Sequence, residues 1–141
     1  MSETVSAVVM DGAKLRDDIV GELRAEIEAA GSPPVCLATV LIGDDKPSQI
    51  YVRSKQKKAA EAGMQSRHVA IDGNVSQAEL EDTVAALVAD QGVHGILCQL
   101  PLPGDLDAEP LLRMIPADKD VDGLTEASLG RLVRGQRGHV G

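Results

Sequence analysis

The run VCLATVLI, at residues 35–42, decides the fold of this chain. Every residue in it except Thr39 is apolar, whereas a strand with one solvated face would alternate apolar with polar residues. Continuous apolar runs are typical of parallel strands that are covered on both faces. A second, largely apolar run, VHGILCQL, follows at residues 93–100. Such runs, alternating with helical periodicity, predict a three-layer α/β/α domain with a mostly parallel sheet.

The helices are predicted from apolar spacing and from end signals. An apolar residue recurs at every fourth position from Leu15 to Ile27, with charged residues opposite, which is the stripe of an amphipathic helix. Ser76 and Glu79 have the spacing of a capping box and open a later helix. Further helices are predicted at about 47–62, 108–114 and 126–133, and further strands at 5–10 and at 67–71, the latter at a sheet edge.

Composition excludes several classes of protein. The 141 residues carry 14 basic and 22 acidic side chains, a net charge of −8, which disfavours a nucleic-acid partner. No apolar run approaches the roughly 20 residues of a membrane helix, and the N-terminus lacks the order of a signal peptide. Cys36 and Cys98 lack the spacing of a metal site, so we expect no metal and no disulfide. Buried free thiols in a cytoplasmic protein are the expectation.

The only aromatic side chain, Tyr51, stands four residues before Lys55 on a predicted helix. This spacing places the two side chains on one face, a turn apart. A phenol ring can pack a flat substrate while a neighbouring amine moves protons. The alternative is a solvated helix face with a half-buried tyrosine, which this pair alone would favour.

Gln99 lies near the end of the second apolar run and is followed by Leu100-Pro101-Leu102-Pro103. Open α/β sheets place their ligand sites at the carboxyl ends of strands. An uncharged glutamine there could hydrogen-bond a lysine or a ligand, and the prolines stiffen the loop. We therefore predict a cis peptide at Leu100–Pro101 or Leu102–Pro103. The alternative is that Gln99 is merely solvated where the strand exits.

The segment Lys119-Asp120-Val121-Asp122-Gly123 brings two carboxylates two residues apart. It is far short of a calcium loop, although a carboxylate could accept two hydrogen bonds from the amidine-like edge of a heterocycle. An Asp-Gly turn is the better interpretation of this segment alone. His68, His94 and His139 lack partners at ligand spacing and are predicted to be structural or solvated. No phosphate-binding glycine motif occurs.

Taken together and in order, these segments resemble the bifunctional methylenetetrahydrofolate dehydrogenase/methenyltetrahydrofolate cyclohydrolase family. The segments that carry the resemblance are Ile42-Gly43-Asp44 with Pro47 to Val52 and Lys55, Gly95 to Pro103, Lys119 to Leu124, and Leu129 to Leu132. The likeness covers nearly the whole chain, and ordered motifs at matching separations are far more specific than any one of them. The resemblance therefore outweighs the local alternatives.

The resemblance implies roles for four catalytic-site residues. Tyr51 would pack against the pterin and aminobenzoate part of a tetrahydrofolate. Lys55 would be the principal catalytic residue, assisting hydration and ring opening of the methenyl bridge. Gln99 would hydrogen-bond Lys55 and orient it, and Asp122 would bind the pterin edge. The pocket would be lined further by Ser48, Cys98, Leu100 and Pro101.

The family's chemistry is a two-step conversion in one-carbon metabolism. Hydride passes from methylenetetrahydrofolate to NADP or NAD, and water then converts the methenyl product to 10-formyltetrahydrofolate. The resemblance implies a cytoplasmic homodimer as the parent enzyme. Residues 1–134 would be the tetrahydrofolate domain, and residues 135–141 the start of a linker to an NAD(P)-binding domain that this chain does not contain. Cofactor contacts therefore cannot be assigned, and we expect no dehydrogenation from this chain alone.

The sequence departs from the family pattern in three places. The proline usually found two residues before the loop lysine is replaced by Ala117, with Pro116 one place earlier. The Pro-Cys-Thr-Pro segment with its Rossmann domain, and the C-terminal helix that returns to this domain, are both missing from the sequence. Two other interpretations stay open at this point: a non-catalytic folate-binding or regulatory short form, and, more remotely, a phosphoacceptor receiver domain.

Overall fold

Strand β1 (Cys36–Ile42) lies at the centre of a three-stranded parallel sheet, between β2 (Gln65–Ile71) and β3 (Gly95–Cys98). The structure is a computed structural model and describes residues 7–138. Six of the seven β1 residues are buried, as the continuous apolar run predicted. A strand without a polar face is stable only between two neighbours and two covering layers.

Five helices surround the sheet in the described part of the chain, and each begins at a side-chain cap. Asp45 and Thr125, for example, each accept a hydrogen bond from the backbone N–H three residues further on, a group that has no partner within the helix. The predicted capping box at Ser76 and Glu79 is confirmed. The helices are α1 (Gly12–Ala29), α2 (Lys46–Glu61), α3 (Gln77–Ala89), α4 (Ala108–Met114) and α5 (Glu126–Val133).

The helices cover both faces of the sheet, which confirms the three-layer α/β/α fold. On one face, Ala38 and Val40 of β1 pack in a buried cluster with Leu80 of α3 and Leu111 of α4. The intervening residue, Thr39, points to the opposite face. There its hydroxyl accepts a hydrogen bond from Gln56 of α2 at 3.3 Å. Helix α2 therefore forms the second covering layer, and this layer carries the predicted site.

Two strands differ from their predicted extents. Strand β2 is an edge strand, as predicted, and it begins earlier, at Gln65. Strand β3 is shorter than the run at 93–100, because Val93 donates to Asp90 in a turn instead of joining the ladder. At the other end the ladder stops after Gln99 N–H donates to Val40 O at 2.9 Å.

The prediction of a strand at residues 5–10 is wrong for the part that the structure describes. Residues 7–10 form no regular element, and Val8, Val9 and Met10 are 86–96% exposed. Residues 5 and 6 lie outside the described residues. β-Branched side chains favour a strand only where a neighbouring strand and a packing surface receive them, and among the described residues neither meets residues 7–10.

Helix α1 has the predicted apolar stripe, but the stripe is only partly covered. Leu15 and Ile19 are 60% and 46% exposed, and no residue of α1 is buried. The helix rests against the end of α2, where Lys58 Nζ lies 3.5 Å from Asp17 Oδ1. Within residues 7–138 no helix has the length and apolar character needed to cross a bilayer.

Candidate functional site

A crevice of about 730 Å³ lies where the three strands end. This is the edge at which open α/β sheets bind ligands. Of the residues predicted for the site, only Pro101 lines the crevice. Tyr51 and Lys55 of α2 and Gln99 at the end of β3 are not part of its lining. The crevice is lined by Ile42, Gly43, Asp44, Asp45, Ile71, Asp72, Gly73, Asn74, Pro101, Leu102 and Pro103.

One flank of α2 faces the edge strand. Gln49, Arg53 and Gln56, spaced four and three residues apart, line a cavity of about 330 Å³ together with His68 of β2. Residues at this spacing lie on one side of a helix. This side of α2 is therefore turned towards β2.

The opposite flank of α2 carries Tyr51 and Lys55. Val52 is buried and faces the sheet. With about 3.6 residues per turn, Tyr51 and Lys55 fall on the side of Val52 away from Arg53. Since β3 lies on the side of β1 away from β2, this flank is turned towards β3. Their predicted shared face is confirmed.

Tyr51 and Lys55 differ in how far each side chain is exposed to solvent. Tyr51 is 63% exposed, so its ring is free to receive a flat ligand. Lys55 is half-buried. Within residues 7–138 its amine makes no hydrogen bond and no ion pair, in contrast to Lys58 on the same helix, which pairs with Glu61 at 2.6 Å.

Gln99 lies on the sheet face that α2 covers. Side chains alternate along a strand, and Leu97 is in register with Thr39, whose hydroxyl contacts α2, so Gln99 shares that face. Its amide nitrogen donates to Leu100 O at 2.8 Å. Its carbonyl oxygen, Oε1, is buried without a donor. The predicted hydrogen bond between Gln99 and Lys55 is not among those that the structure contains.

A buried acceptor without a donor costs about 1–3 kcal/mol, and native structures contain few of them. The unpartnered oxygen of Gln99 is therefore an acceptor available to a donor group. The peptide that follows, Leu100–Pro101, is cis, as one of the two predicted alternatives stated.

Ser48 and Cys98 are both buried, and the Cys98 side chain packs in the core cluster on the sheet face away from α2. Ser48 belongs to the start of α2, where its N–H donates to Asp45 Oδ2 at 2.9 Å and its hydroxyl also bonds Asp45; these bonds lower the pKa of that carboxyl. Burial, with a smaller contribution from the charge of Asp122, raises the pKa of the Cys98 thiol to about 11.

The structure separates the roles of the two neighbouring acids in the Lys119–Gly123 segment. Asp120 is buried and forms an isolated parallel bridge with Ile96 of β3. Its carboxylate accepts from three backbone N–H groups, those of Gly123, Leu124 and Thr125, at 2.9, 3.3 and 2.9 Å. Asp122 stands at the tip of this loop, half-buried.

Asp120 is a residue that the sequence prediction did not single out. Burial acts to raise its pKa, but hydrogen bonds from Thr125 and Ser128 outweigh burial and hold the pKa below its ordinary value. A signal was available: an aspartate two residues before an Asp-Gly turn, itself followed by a threonine N-cap, is suited to bond the backbone of both.

The described residues offer neither a metal centre nor a dinucleotide site. Among residues 7–138 no group of three or more His, Cys, Asp or Glu is arranged to hold a metal ion. The start of α2, where a phosphate would bind to free N–H groups, is occupied by the carboxylate of Asp45. At the start of α3, Ser76 Oγ accepts from Glu79 N–H in the same way, and the Glu79 carboxylate accepts from Ser76 N–H. These residues do not fit a pyrophosphate.

The two cysteines and two of the three histidines lie as the sequence predicted. Cys36 and Cys98 are both free and buried, as expected. His94 Nδ1 accepts from Cys36 N–H at 3.1 Å, and His68 Nδ1 lies 3.3 Å from Thr39 Oγ1, so both have structural partners. His139 lies outside the described residues.

The fold is that of a parallel α/β domain, with a tyrosine and a lysine on α2 and a glutamine at the end of the neighbouring β3. The family model for "Tetrahydrofolate dehydrogenase/cyclohydrolase, catalytic domain" matches residues 10–122. The chain belongs to this family. Membership excludes the receiver-domain alternative.

The chain is similar to curated and solved members of the family. It is 42% identical over 137 residues to the bifunctional protein FolD of Maricaulis maris, covering 95% of this chain and 46% of that protein. The crystal structure of the FolD methylenetetrahydrofolate dehydrogenase/cyclohydrolase from Campylobacter jejuni superimposes with a TM-score of 0.90 at 36% identity, covering 95% of this chain and 49% of that one. The Trypanosoma brucei enzyme, solved with NADP cofactor and an inhibitor, gives 0.87 at 34% identity, covering 95% and 47%. The chain thus spans about half the length of the relatives it matches.

Proposed function

We propose that this chain is the tetrahydrofolate-binding half of an enzyme that oxidises 5,10-methylenetetrahydrofolate and hydrolyses the methenyl product to 10-formyltetrahydrofolate. Family membership and the similarity to bifunctional FolD proteins support the reaction class. The observation that carries the site assignment is the buried, unpartnered Gln99 Oε1, on the sheet face covered by the helix that carries Lys55.

The substrate would bind between α2 and the end of β3. The exposed ring of Tyr51 would pack against the flat pterin and aminobenzoate groups. The carboxylate of Asp122 would accept hydrogen bonds from the amidine-like pterin edge, because an ionised carboxylate offers two acceptor oxygens in one plane. Ser48, Cys98, Leu100 and Pro101 would line the pocket, mainly through backbone and buried surface.

Lys55 would carry the proton transfers of the cyclohydrolase step. Its amine is half-buried and makes no other bond in the described chain, so it is free to donate to Gln99 Oε1 and to the reacting groups. Attack of water on the methenyl carbon requires loss of a proton from the water, and ring opening requires a proton on the departing ring nitrogen. A positioned amine performs both transfers if it is held near the bridge.

The oxidation step belongs to the longer protein in this proposal. NADP or NAD would accept hydride from the methylene carbon, and among residues 7–138 the helix starts that could bind its pyrophosphate are occupied by side-chain caps. The homodimer and the cytoplasmic location expected from the resemblance, and the division at residue 134, stay predictions. A non-catalytic folate-binding short form is the alternative, and the test below distinguishes the two.

The test compares Lys55→Met with Lys57→Met. Lys57 lies on the same helix with its side chain 76% exposed, so it controls for the loss of one positive charge. Binding of tetrahydrofolate is measured by calorimetry, and hydrolysis of 5,10-methenyltetrahydrofolate is followed spectroscopically. We expect Lys55→Met to bind folate but to lose roughly 10²–10⁴-fold in hydrolysis, the usual contribution of a positioned acid or base.

The outcomes separate the possible roles. Parental hydrolysis by Lys55→Met would show that the lysine is structural. Folate binding without any hydrolysis in the parent chain would favour the non-catalytic alternative. Absence of folate binding in the parent chain would contradict the proposal as a whole.

A further inference from the structure

We propose that Asp120 is a positioning residue that holds Asp122 in place for the pterin edge. This inference rests on the proposed function, and it assigns a role to a buried acid that no part of that function uses. Asp120 and Asp122 both lie in the loop between α4 and α5.

Residues 120–123 leave the edge of the sheet and then turn back towards the carboxylate of Asp120. Asp120 is held to β3 through its backbone, since Ile96 pairs with it and donates to the preceding carbonyl, Lys119 O, at 2.8 Å. From there the chain runs out to Val121 and Asp122. It then turns back at Gly123, whose φ of +68° is a conformation that glycine adopts without strain.

The returning chain is bound by the Asp120 side chain. Oδ1 accepts from Gly123 and Leu124, and Oδ2 accepts from Thr125, which is the N-cap of α5. Both ends of the short segment that carries Asp122 are thereby tied to one buried residue. Charged hydrogen bonds of this kind are roughly twice as strong as neutral ones.

A second attachment holds the loop from the other side. Lys119 Nζ donates to Val88 O and Asp90 O at the end of α3, both at 2.9 Å. A lysine at the carbonyl end of a helix satisfies groups that have no partner within it. The residue before Asp120 is therefore anchored to α3, and the freedom that remains to Asp122 is decided by the Asp120 carboxylate.

The experiment measures tetrahydrofolate affinity in four variants of the chain: Asp120→Asn, Asp122→Ala, the double variant and Asp118→Asn. Asp118 is exposed and lies two residues earlier in the same loop, so it controls for the loss of one charge. Asparagine keeps the shape of Asp120 but replaces one acceptor oxygen with a donor that faces a backbone N–H group. Amide hydrogen exchange at residues 123–125 is measured in parallel.

We expect Asp120→Asn to weaken folate binding about tenfold, the loss of one strong hydrogen bond. Exchange at residues 123–125 should accelerate, and Asp118→Asn should leave both measurements unchanged. If Asp120 acts through Asp122, the double variant should bind no more weakly than Asp122→Ala alone. Should Asp120→Asn fail to fold, Asp120→Glu replaces it, since it keeps the charge but moves the carboxylate away from the three amides.

The results distinguish this inference from the proposed function. If Asp122→Ala weakens binding while Asp120→Asn binds like the parent, or if the two losses add in full, the positioning role is wrong and the folate site stands. If Asp122→Ala has no effect, or the parent does not bind folate, the assignment of Asp122 falls and this inference falls with it.

Discussion

Gly95→Ala probes the contact between β3 and the loop that carries Asp122. A Cβ added at Gly95 would lie 2.6 Å from Val121 Cγ1 and 3.4 Å from Leu37 Cδ1. Carbon atoms in contact are normally about 3.5–4.0 Å apart. Val121 must therefore move by about 1 Å, and its χ1 is stiff because valine is branched at Cβ. The loop must shift with it.

The expected cost is about 1–3 kcal/mol in the free energy of unfolding, the usual range for one methyl group inserted into a packed site. Val121→Ala removes the clashing methyl group. Since Val121 is 41% exposed, this change alone should cost little. The double variant Gly95→Ala/Val121→Ala should recover most of the loss, because Ala at 95 then meets only Leu37 at an acceptable distance.

The assay is equilibrium unfolding in urea for the parent, the two single variants and the double variant. A coupling free energy of about 1 kcal/mol or more, with the double variant more stable than Gly95→Ala, is the expected result. Additive losses would show that Val121 does not limit the space at Gly95. They would refute the view that this glycine is required by the loop.

Two further predictions follow from titratable groups. Because burial raises its pKa from the ordinary 9.0 to about 11, Cys98 should carry roughly 100-fold less thiolate than a free cysteine near pH 8. In a Cys36→Ser background, alkylation should therefore be slow in the native chain and fast in denaturant, and equal rates would contradict this prediction. Because the folded pKa of Asp120 is lowered, its contribution to stability is present above the ordinary pKa of 3.8 and is lost as pH falls through the folded value. Asp120→Asn should accordingly be less stable at neutral pH and should lose less stability on acidification, measured by urea unfolding at pH 7 and pH 3.

Much of the fold was predictable because its signals are local. The apolar run at 35–42 required a strand covered on both faces, and the Ser76–Glu79 spacing required a helix start. The predictions of strand structure failed where the local preference of the residues did not decide the conformation. Residues 7–10 have strand-forming side chains and no partner strand, and Val93 belongs to a turn because its N–H is taken by Asp90.

The sequence by itself determined the parallel α/β architecture, the order of its elements and the likeness to the folate family, because apolar periodicity, capping residues and motif spacing are all written along the chain. It also placed Tyr51 and Lys55 on one helix face, since that follows from helical pitch alone. Only the tertiary structure decided that this face turns towards β3, that Gln99 Oε1 is buried without a donor, and that Asp120 ties down the loop of Asp122. These facts depend on which groups become buried beside each other, and burial is a property of the packed chain rather than of any segment in it.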